Sequence, residues 1–319
     1  MDQLKEMREK VNRAIKEFLH EEEPPQLYKA VRYLPLAGGK RLRPIMALLA
    51  CQAVGGEQTR ALPYGAALEI IHTFTLAHDD IMDRDEQRRG MPAAHVKFGE
   101  ATAILAGDTL FAKAFEIVAG ARLPAEVVAQ LVHSMALMSK EICEGQQMDM
   151  CFEEMEEVDE AAFLAMIEKK TARLFEYACL GGALIGGGNR KQQEALGNYG
   201  RWVGMAFQLW DDCLDVVGKD IGKPIGSDVR EGKKTLIYIY AREHSDHTGW
   251  IPYHGKHDAS PAEIQQVLQA FAASGAIDHT IQKARGYAER ARKALSPLPE
   301  SESKRLLMNL ADFAVTRGV

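Results

Sequence analysis

Two segments of the chain carry three aspartates each at the same spacing, D-D-x-x-D. The residues are Asp79, Asp80, Asp83, Asp211, Asp212 and Asp215. The outer two aspartates of each cluster are four residues apart, and the last two are three apart, so all three can point to one side of a helix. Carboxylates this close repel one another, so a cation is expected to bind them. Mg²⁺, with diphosphate oxygens completing its octahedral shell, fits this chemistry.

A single cluster of this kind could equally be a solvated acidic helix end. The second cluster lies in an otherwise apolar segment, which makes a chance pair improbable. Two such clusters on two long helices, facing each other across a bundle, would form a multi-metal clamp for a diphosphate. All six aspartates are therefore candidate catalytic residues.

Positive charges flank both clusters. The stretch GGKRLRP (residues 38–44) places three of them at a Gly-rich helix start, where backbone N–H groups and the helix dipole favour an anion. The other candidates are Arg88, Arg89, Lys170, Lys223 and Lys233, the last two in the Gly-rich stretch GKPIGSDVREGKKT. Singly, each is more often a solvated surface charge, but together they predict two anion sites beside one metal site.

Hydrophobic periodicity predicts the helices that must position these residues. One predicted helix has Pro44 in its first turn and ends at about residue 54. The others span roughly residues 2–20, 27–36, 60–83, 98–119, 124–152, 159–185, 190–217, 234–243, 261–274, 278–295 and 302–316. Ser260 and Glu263 have the spacing of a capping box. Alternation typical of strands is rare, so the predicted fold class is all-α. The long segments 124–152 and 159–185 indicate a large helical bundle with deep central helices.

Composition narrows the function classes. The 319 residues allow one or two domains, and a net charge of -6 argues against a general nucleic-acid binder. The five cysteines are scattered and never form a C-x-x-C pair, which is typical of reduced thiols in a cytoplasmic protein. No stretch of about 20 apolar residues is found, so no transmembrane segment is predicted.

The combination of motifs resembles one family. GGKRLRP, HDDIMD followed by RRG, EGQQMD, KT, FQLWDDCLD and GKPIGSD followed by GKKTL are similar to the motifs of the trans-prenyl diphosphate synthases, the polyprenyl synthetase family. The motifs span residues 38–236, and the helical pattern extends the resemblance over nearly the whole chain. The resemblance implies a single domain over residues 1–319, a helical bundle around a central active-site cavity, and a homodimer that requires Mg²⁺.

The resemblance also assigns roles to individual residues. The Mg²⁺ ligands it implies are Asp79, Asp83 and Asp211. The implied contacts to the diphosphate of isopentenyl diphosphate are Lys40, Arg43, His72 and Arg89. The implied contacts to the allylic diphosphate are Arg88, Lys170, Thr171, Gln208, Lys223 and Lys233, with Lys170 also counted as catalytic. Gln146 and Asp149 lie in a recognisable G-Q-x-x-D segment whose role stays open.

A mechanism follows from these charges. Metal ions and cations would stabilise the departing diphosphate, so that the allylic C–O bond ionises. The double bond of isopentenyl diphosphate, held nearby, would attack the resulting cation, and loss of a proton would end the cycle. No protein nucleophile is required.

Chain length is predicted from the residues before the first cluster. In the family, side chains at this place form the floor of the tail pocket, and Phe74 with the small Thr75 resembles the archaeal-type geranylgeranyl synthases. At 1.5 Å per residue, Phe74 would lie about 7–8 Å below Asp79. The alternatives are a farnesyl synthase, a bifunctional farnesyl/geranylgeranyl synthase, or plain core packing of Phe74. A class I terpene cyclase and a non-catalytic synthase subunit are more distant rivals, because the chain has the GGKRLRP stretch and both clusters.

Residues 244–257 depart from the family pattern and contain four histidines. Their spacing matches no recognised metal site, so we expect a solvated surface loop whose histidines are incidental. Trp250 and Tyr253 could form an interface between subunits.

Overall fold

The computed structural model describes residues 2–218 and 225–317. The helices are α1 (Asp2–Phe18), α2 (Pro25–Leu36), α3 (Leu42–Ala53), α4 (Leu62–Met82), α5 (Ala94–Phe98), α6 (Glu100–Ala119), α7 (Ala125–Glu154), α8 (Glu160–Ile167), α9 (Arg173–Ile185), α10 (Arg190–Val217), α11 (Ser227–Glu231), α12 (Leu236–His244), α13 (Pro261–Ala273), α14 (Ala276–Ala294) and α15 (Glu302–Ala314). Two short strands, β1 (Gln87–Arg88) and β2 (Met91–Pro92), form an antiparallel hairpin. The all-α prediction is confirmed.

Local sequence explains several helix starts. At α13, the Glu263 backbone N–H donates to the Ser260 hydroxyl (3.3 Å) and the Ser260 N–H donates to the Glu263 carboxylate (2.7 Å), which is the predicted capping box. The Asp159 carboxylate accepts the N–H of Ala162 at 2.7 Å and starts α8.

The predicted helix 159–185 is interrupted by a π-helical turn. Residues Glu168–Ala172 form this turn between α8 and α9. A π-helical turn changes the register of the side chains that follow it, and such turns are frequent at functional sites. The periodicity of the sequence gives no signal for it. The helices α5 and α11 and the β1–β2 hairpin were likewise not predicted, because they are too short for a periodic pattern.

The chain divides into two compact units. Unit 1 comprises Met1–Leu137, Tyr177–Gly197 and Pro297–Leu307, and unit 2 comprises Met138–Glu176, Asn198–Ser296 and Met308–Val319. The prediction of one domain over residues 1–319 stays a prediction.

Each unit has its own apolar core. In unit 1, α3 is buried on all sides, with Met46, Leu48 and Leu49 at most 1% exposed, as expected for a helix that is apolar all round. In unit 2, Leu236 and Ile237 of α12 are fully buried, and α12 packs on α13 and α14. Of the helices in the described part of the chain, none has the length and apolarity needed to cross a membrane.

Candidate active site

The Gly-rich turn before α3 is fixed by a buried arginine. Arg41 adopts a left-handed backbone (φ 54°), and its guanidinium lies in the core of unit 1. It donates to the Glu69 carboxylate at 2.6 Å, to the Pro35 carbonyl at 2.5 Å and to the Asn12 side chain at 2.9 Å. The turn is therefore held through Arg41, which leaves Lys40 exposed and Arg43 half-buried on the same turn.

Glu69 is the residue that sequence reasoning missed here. Its side chain is 3% exposed, and that of Arg41 is 2% exposed. Removing one partner of such a buried pair typically costs about 3–5 kcal/mol, because the other charge is left without compensation. A single acid in the apolar run AALEIIHTF was the available signal, since a buried carboxylate requires a partner.

Arg89 and His72 lie beside this turn. Arg89 donates to the carbonyls of Gly38 (2.5 Å) and Leu34 (3.2 Å). Gly39 lies against this guanidinium, and its φ of 145° is a backbone conformation that favours glycine. Burial, followed by the charges of Arg43 and Arg89, holds the pKa of His72 well below its usual range. His72 is therefore neutral at neutral pH, and the structure brings it together with Arg43 and Arg89.

The first aspartate cluster lies at the end of α4. Asp80 is fully buried and accepts Nε of Arg88 at 2.6 Å, while Asp85 accepts the same guanidinium at 2.8 Å. Burial raises the pKa of Asp80 despite Arg88, and its Oδ2 atom has no hydrogen-bond partner. Asp79 and Asp83 are half-buried. Arg88, predicted to contact the allylic diphosphate, is thus paired with the central aspartate of the cluster.

The second cluster lies near the end of α10. Asp212 is 5% exposed and accepts the side-chain N–H of Gln208 at 2.9 Å, and the Thr171 hydroxyl donates to the Gln208 carbonyl oxygen at 2.8 Å. Burial and the nearby carboxylates of Asp228 and Asp211 hold the pKa of Asp212 well above its usual range. Its Oδ2 atom is buried without a partner. The predicted residues Thr171 and Gln208 therefore form one hydrogen-bonded chain with Asp212.

The other aspartates of this cluster have different surroundings. Asp215 is 6% exposed and accepts the Ser227 hydroxyl at 2.5 Å and the Asp228 N–H at 3.2 Å. Asp211 is 42% exposed and forms an ion pair with Arg317 at 2.7 Å. The Arg317 guanidinium also lies 3.6 Å from the ring centre of Phe207. Arg317 was missed because nothing in the sequence links the chain end to α10.

Lys170 lies on the π-helical turn. Its ammonium is 2.5 Å from the Asp149 carboxylate of the G-Q-x-x-D segment in α7. Gly145 allows α7 to approach the π-helical turn, because a Cβ on residue 145 would lie only 2.3 Å from the backbone nitrogen of Lys170. Gln146 is 7% exposed, and its side-chain oxygen has no hydrogen-bond partner. Asp149 therefore orients Lys170.

The two lysines of GKKT point to different partners. The Lys233 ammonium is 2.6 Å from the Glu231 carboxylate and 3.9 Å from that of Asp228. Lys234 donates instead to the Phe152 carbonyl at 2.6 Å and the Glu153 carbonyl at 3.1 Å, at the end of α7. Lys233 is thus on the side of the second cluster. Lys223 lies outside the described residues.

A row of aromatic rings begins at Phe74. Its ring centre is 4.8 Å from that of His78 and 5.2 Å from that of Phe111 on α6, and Phe111 is 5.0 Å from Phe115. The Thr75 hydroxyl donates to the His72 carbonyl at 2.9 Å. The three phenylalanines are half-buried. Phe111 and Phe115 were missed because the sequence does not say which face of α6 meets α4.

The histidine segment (residues 244–257) is not the solvated loop that we expected. Trp250 is 1% exposed, and its ring packs edge-on against Tyr238 and Phe271. His254 stacks on Tyr238. The segment therefore adds to the core of unit 2, and the expectation of solvent exposure is wrong for Trp250 and His254.

The carboxylates are chemically suited to a hard divalent cation. Within residues 2–218 and 225–317, no group of three His, Cys, Asp or Glu side chains is placed to hold a metal ion by protein ligands alone. The unpartnered buried oxygens of Asp80 and Asp212 and the partly exposed carboxylates of Asp79, Asp83 and Asp211 nevertheless supply oxygen donors. Mg²⁺ usually binds through one or two carboxylates with waters and substrate phosphates, so these residues fit it.

Comparison with known proteins identifies the family. A family model described as polyprenyl synthetase matches residues 24–271. The geranylgeranyl pyrophosphate synthase of Geoglobus acetivorans is 44% identical over 315 residues, covering 98% of each chain. The geranylgeranyl diphosphate synthase of Methanosarcina mazei is 44% identical over 319 residues, covering 99% of this chain and 98% of the relative.

Solved structures agree with this result. The geranylgeranyl pyrophosphate synthetase of Pyrococcus horikoshii superimposes with a TM-score of 0.94 at 41% identity, over 99% of this chain and 98% of that one. The Corynebacterium glutamicum enzyme, complexed with isoprenyl diphosphate and magnesium, has a TM-score of 0.91 at 28% identity, over 98% and 99% of the chains. The chain belongs to the polyprenyl synthetase family, and it is a prenyltransferase.

Proposed function

We propose that this prenyltransferase condenses isopentenyl diphosphate with an allylic diphosphate to give geranylgeranyl diphosphate. The observation that carries the proposed ionisation of the allylic diphosphate is the different burial of the aspartates. Asp80, Asp212 and Asp215 are buried, whereas Asp79, Asp83 and Asp211 are partly exposed. The partly exposed carboxylates are the ones that an ion arriving with the substrate meets first.

Mg²⁺ would be held by Asp79, Asp83 and Asp211. When bound, it supplies electrostatic stabilisation of the leaving diphosphate. The fit is supported by the oxygen donors and by the internal partners of Asp80 and Asp212, which orient the backbone of each cluster.

Isopentenyl diphosphate would bind at the Gly-rich turn. Lys40, Arg43 and Arg89 provide the positive charge, and the Arg41–Glu69 pair holds the backbone that carries them. Because His72 is kept neutral, it can donate one hydrogen bond to the diphosphate and accept another. Arginine suits this role, since its planar fork makes paired contacts with phosphate oxygens.

The allylic diphosphate would be contacted by Lys170 and Lys233, with Thr171 and Gln208 orienting the neighbouring carboxylate. Arg88 and Lys223 complete the proposed set. The allylic C–O bond breaks as negative charge develops on the diphosphate, where these cations stabilise it. The double bond of isopentenyl diphosphate then forms the new C–C bond, and the released diphosphate takes the proton. Apolar walls exclude the water that would otherwise quench the cation.

The proposal includes a cytoplasmic homodimer. The five cysteines are scattered along the sequence and never form a C-x-x-C pair, which supports a reducing compartment. Ile104 and Leu105 of α6 are 40% and 56% exposed, and such adjacent apolar side chains support a subunit interface.

Product analysis with purified protein tests the reaction. Incubation with Mg²⁺, isopentenyl diphosphate and each allylic primer should give a four-unit alcohol, about 20 carbons, after dephosphorylation. Asp79→Ala and Asp211→Ala should each lower kcat by about a thousandfold or more, since each tenfold is about 1.4 kcal/mol of lost transition-state stabilisation.

A matched control is Asp108→Ala on α6. The Asp108 side chain is 62% exposed and has no proposed role, so this variant should keep full activity. Near-normal turnover of the Asp79 or Asp211 variant, with helical circular dichroism intact, would rule out the proposed metal ligands.

A further inference from the structure

The loop that carries Lys233 is held by the histidine segment at two points. This Lys233 loop comprises residues 226–235. The Gly255 N–H donates to the Val229 carbonyl at 2.8 Å, and Nε2 of His254 is 3.2 Å from the Lys233 carbonyl oxygen. A Cβ on Gly232 would lie 2.9 Å from the Cα of Gly255. The two backbones are therefore in direct contact at this place.

His254 is itself fixed in position. Its ring stacks on Tyr238, with centroids 4.1 Å apart and an interplanar angle of 27°. Tyr238 is held in turn by Trp250, whose ring centre is 5.8 Å from that of Tyr238 and 5.5 Å from that of Phe271. Burial lowers the pKa of His254 to about 4, so the ring is neutral at neutral pH. Because a carbonyl oxygen can only accept, Nε2 carries the proton and donates to Lys233.

The bond falls on the peptide that joins Lys233 to Lys234. These two lysines have separate partners: Lys233 lies on the side of Asp228 and Glu231, and Lys234 reaches the carbonyls at the end of α7. The Lys233 carbonyl belongs to the peptide between them, and its orientation sets the direction in which each side chain leaves the backbone. A hydrogen-bond donor on this oxygen therefore fixes the orientation of the peptide group between Lys233 and Lys234.

The same loop is tied to the second aspartate cluster at its other end. The Asp228 N–H and the Ser227 hydroxyl donate to the Asp215 carboxylate at 3.2 and 2.5 Å. The Lys233 loop thus has one anchor on α10 and another on His254. Loss of the second anchor would leave the Lys233 end of the loop less restrained.

We infer that His254 is a positioning residue for the prenyl transfer reaction, acting through its hydrogen bond to the backbone of Lys233. The inference rests on the proposed function, in which Lys233 contacts the allylic diphosphate. His254 touches neither substrate. Its role is to keep the Lys233 ammonium at the allylic site.

Two substitutions separate the hydrogen bond from the ring. His254→Phe keeps an aromatic ring on Tyr238 and removes the N–H donor, whereas His254→Gln keeps an N–H donor at a similar reach and removes the ring. His254→Phe should raise KM for the allylic diphosphate about fivefold, the size expected for one lost neutral hydrogen bond. KM for isopentenyl diphosphate should stay unchanged, and His254→Gln should largely restore the allylic KM. His257→Gln, at an exposed position of the same segment, is the control and should behave as the unsubstituted protein.

A double substitution tests whether His254 acts through Lys233. In a Lys233→Ala background, His254→Phe should add no further increase in the allylic KM, because the side chain that it positions is gone. Equal increases of both KM values, or an additive effect in the double variant, would overturn the inference. If Lys233→Ala raises the allylic KM and His254→Phe does not, only the positioning role fails. If Lys233→Ala itself has no effect, the assignment of Lys233 fails and this inference fails with it.

Discussion

Neighbouring aspartates in one motif have opposite physical tasks. Asp80 is fully buried against Arg88, whereas Asp79, one residue earlier, is half-buried at the surface of α4. The helix places them about 100° apart around its axis, since it has 3.6 residues per turn. Asp80 therefore belongs to the packing of the β1–β2 hairpin on α4, and Asp79 to the proposed metal site.

This division gives a prediction on stability. Asp80→Ala should lower the free energy of unfolding by about 2 kcal/mol, because the Arg88 guanidinium loses its buried acceptor although it keeps Asp85. Asp79→Ala should change it by about 0.5 kcal/mol or less while abolishing turnover. Urea denaturation followed by circular dichroism measures both variants. Equal losses of stability would contradict the division of tasks.

At the scale of the element, α6 extends the prediction about product length. If the tail grows from the first cluster toward the start of α4, it meets Phe74 and then Phe111 and Phe115 rather than an open tunnel. Leu68 and Ile71, six and three residues before Phe74 on α4, are fully buried in the core of unit 1. Phe111 and Phe115 are one turn apart, about 6 Å along α6, so they form a second and third barrier.

Phe74→Ala should therefore lengthen the product by about one isoprene unit, and Phe74→Ala with Phe111→Ala by about two, because each ring blocks roughly one helical turn of tail. Thr75→Phe should shorten it to about three units. Chromatography of the dephosphorylated alcohols measures the change. Phe98→Leu, which alters the separate ring pair with Tyr33, is the control. Unchanged products in the Phe74 and Phe111 variants would show that these rings are ordinary core residues without a role in product length.

The elements themselves could largely be predicted, because long amphipathic periodicity determines where helices form. The site could be predicted only as a set of residue types. Which aspartate is buried depends on Arg88 folding back from a two-residue strand, and no periodic pattern encodes that. The π-helical turn under Lys170 depends on Gly145, whose missing side chain lets α7 approach. The buried Arg41–Glu69 pair joins residues 28 positions apart, so only tertiary structure defines it.

At the scale of the whole molecule, the division into two units raises the question of whether they unfold together or separately. Each unit combines three separate chain segments, so neither is a continuous stretch that could be cut out. The segment boundaries at 137/138, 176/177, 197/198 and 307/308 fall inside α7, α9, α10 and α15. Melting one unit alone would therefore require four helices to be broken at internal positions, each exposing unpaired backbone groups.

We accordingly predict one cooperative unfolding transition, as for a single domain. Differential scanning calorimetry should show one peak with equal calorimetric and van't Hoff enthalpies. Leu137 lies at a unit boundary within α7 and is 38% exposed, so its substitution disturbs little packing. Leu137→Pro removes a backbone hydrogen bond there and costs about 3 kcal/mol, which should broaden or split the peak, while Leu137→Ala should leave it single. Two peaks in the unsubstituted protein would show that the units unfold independently and that helix continuity does not couple them.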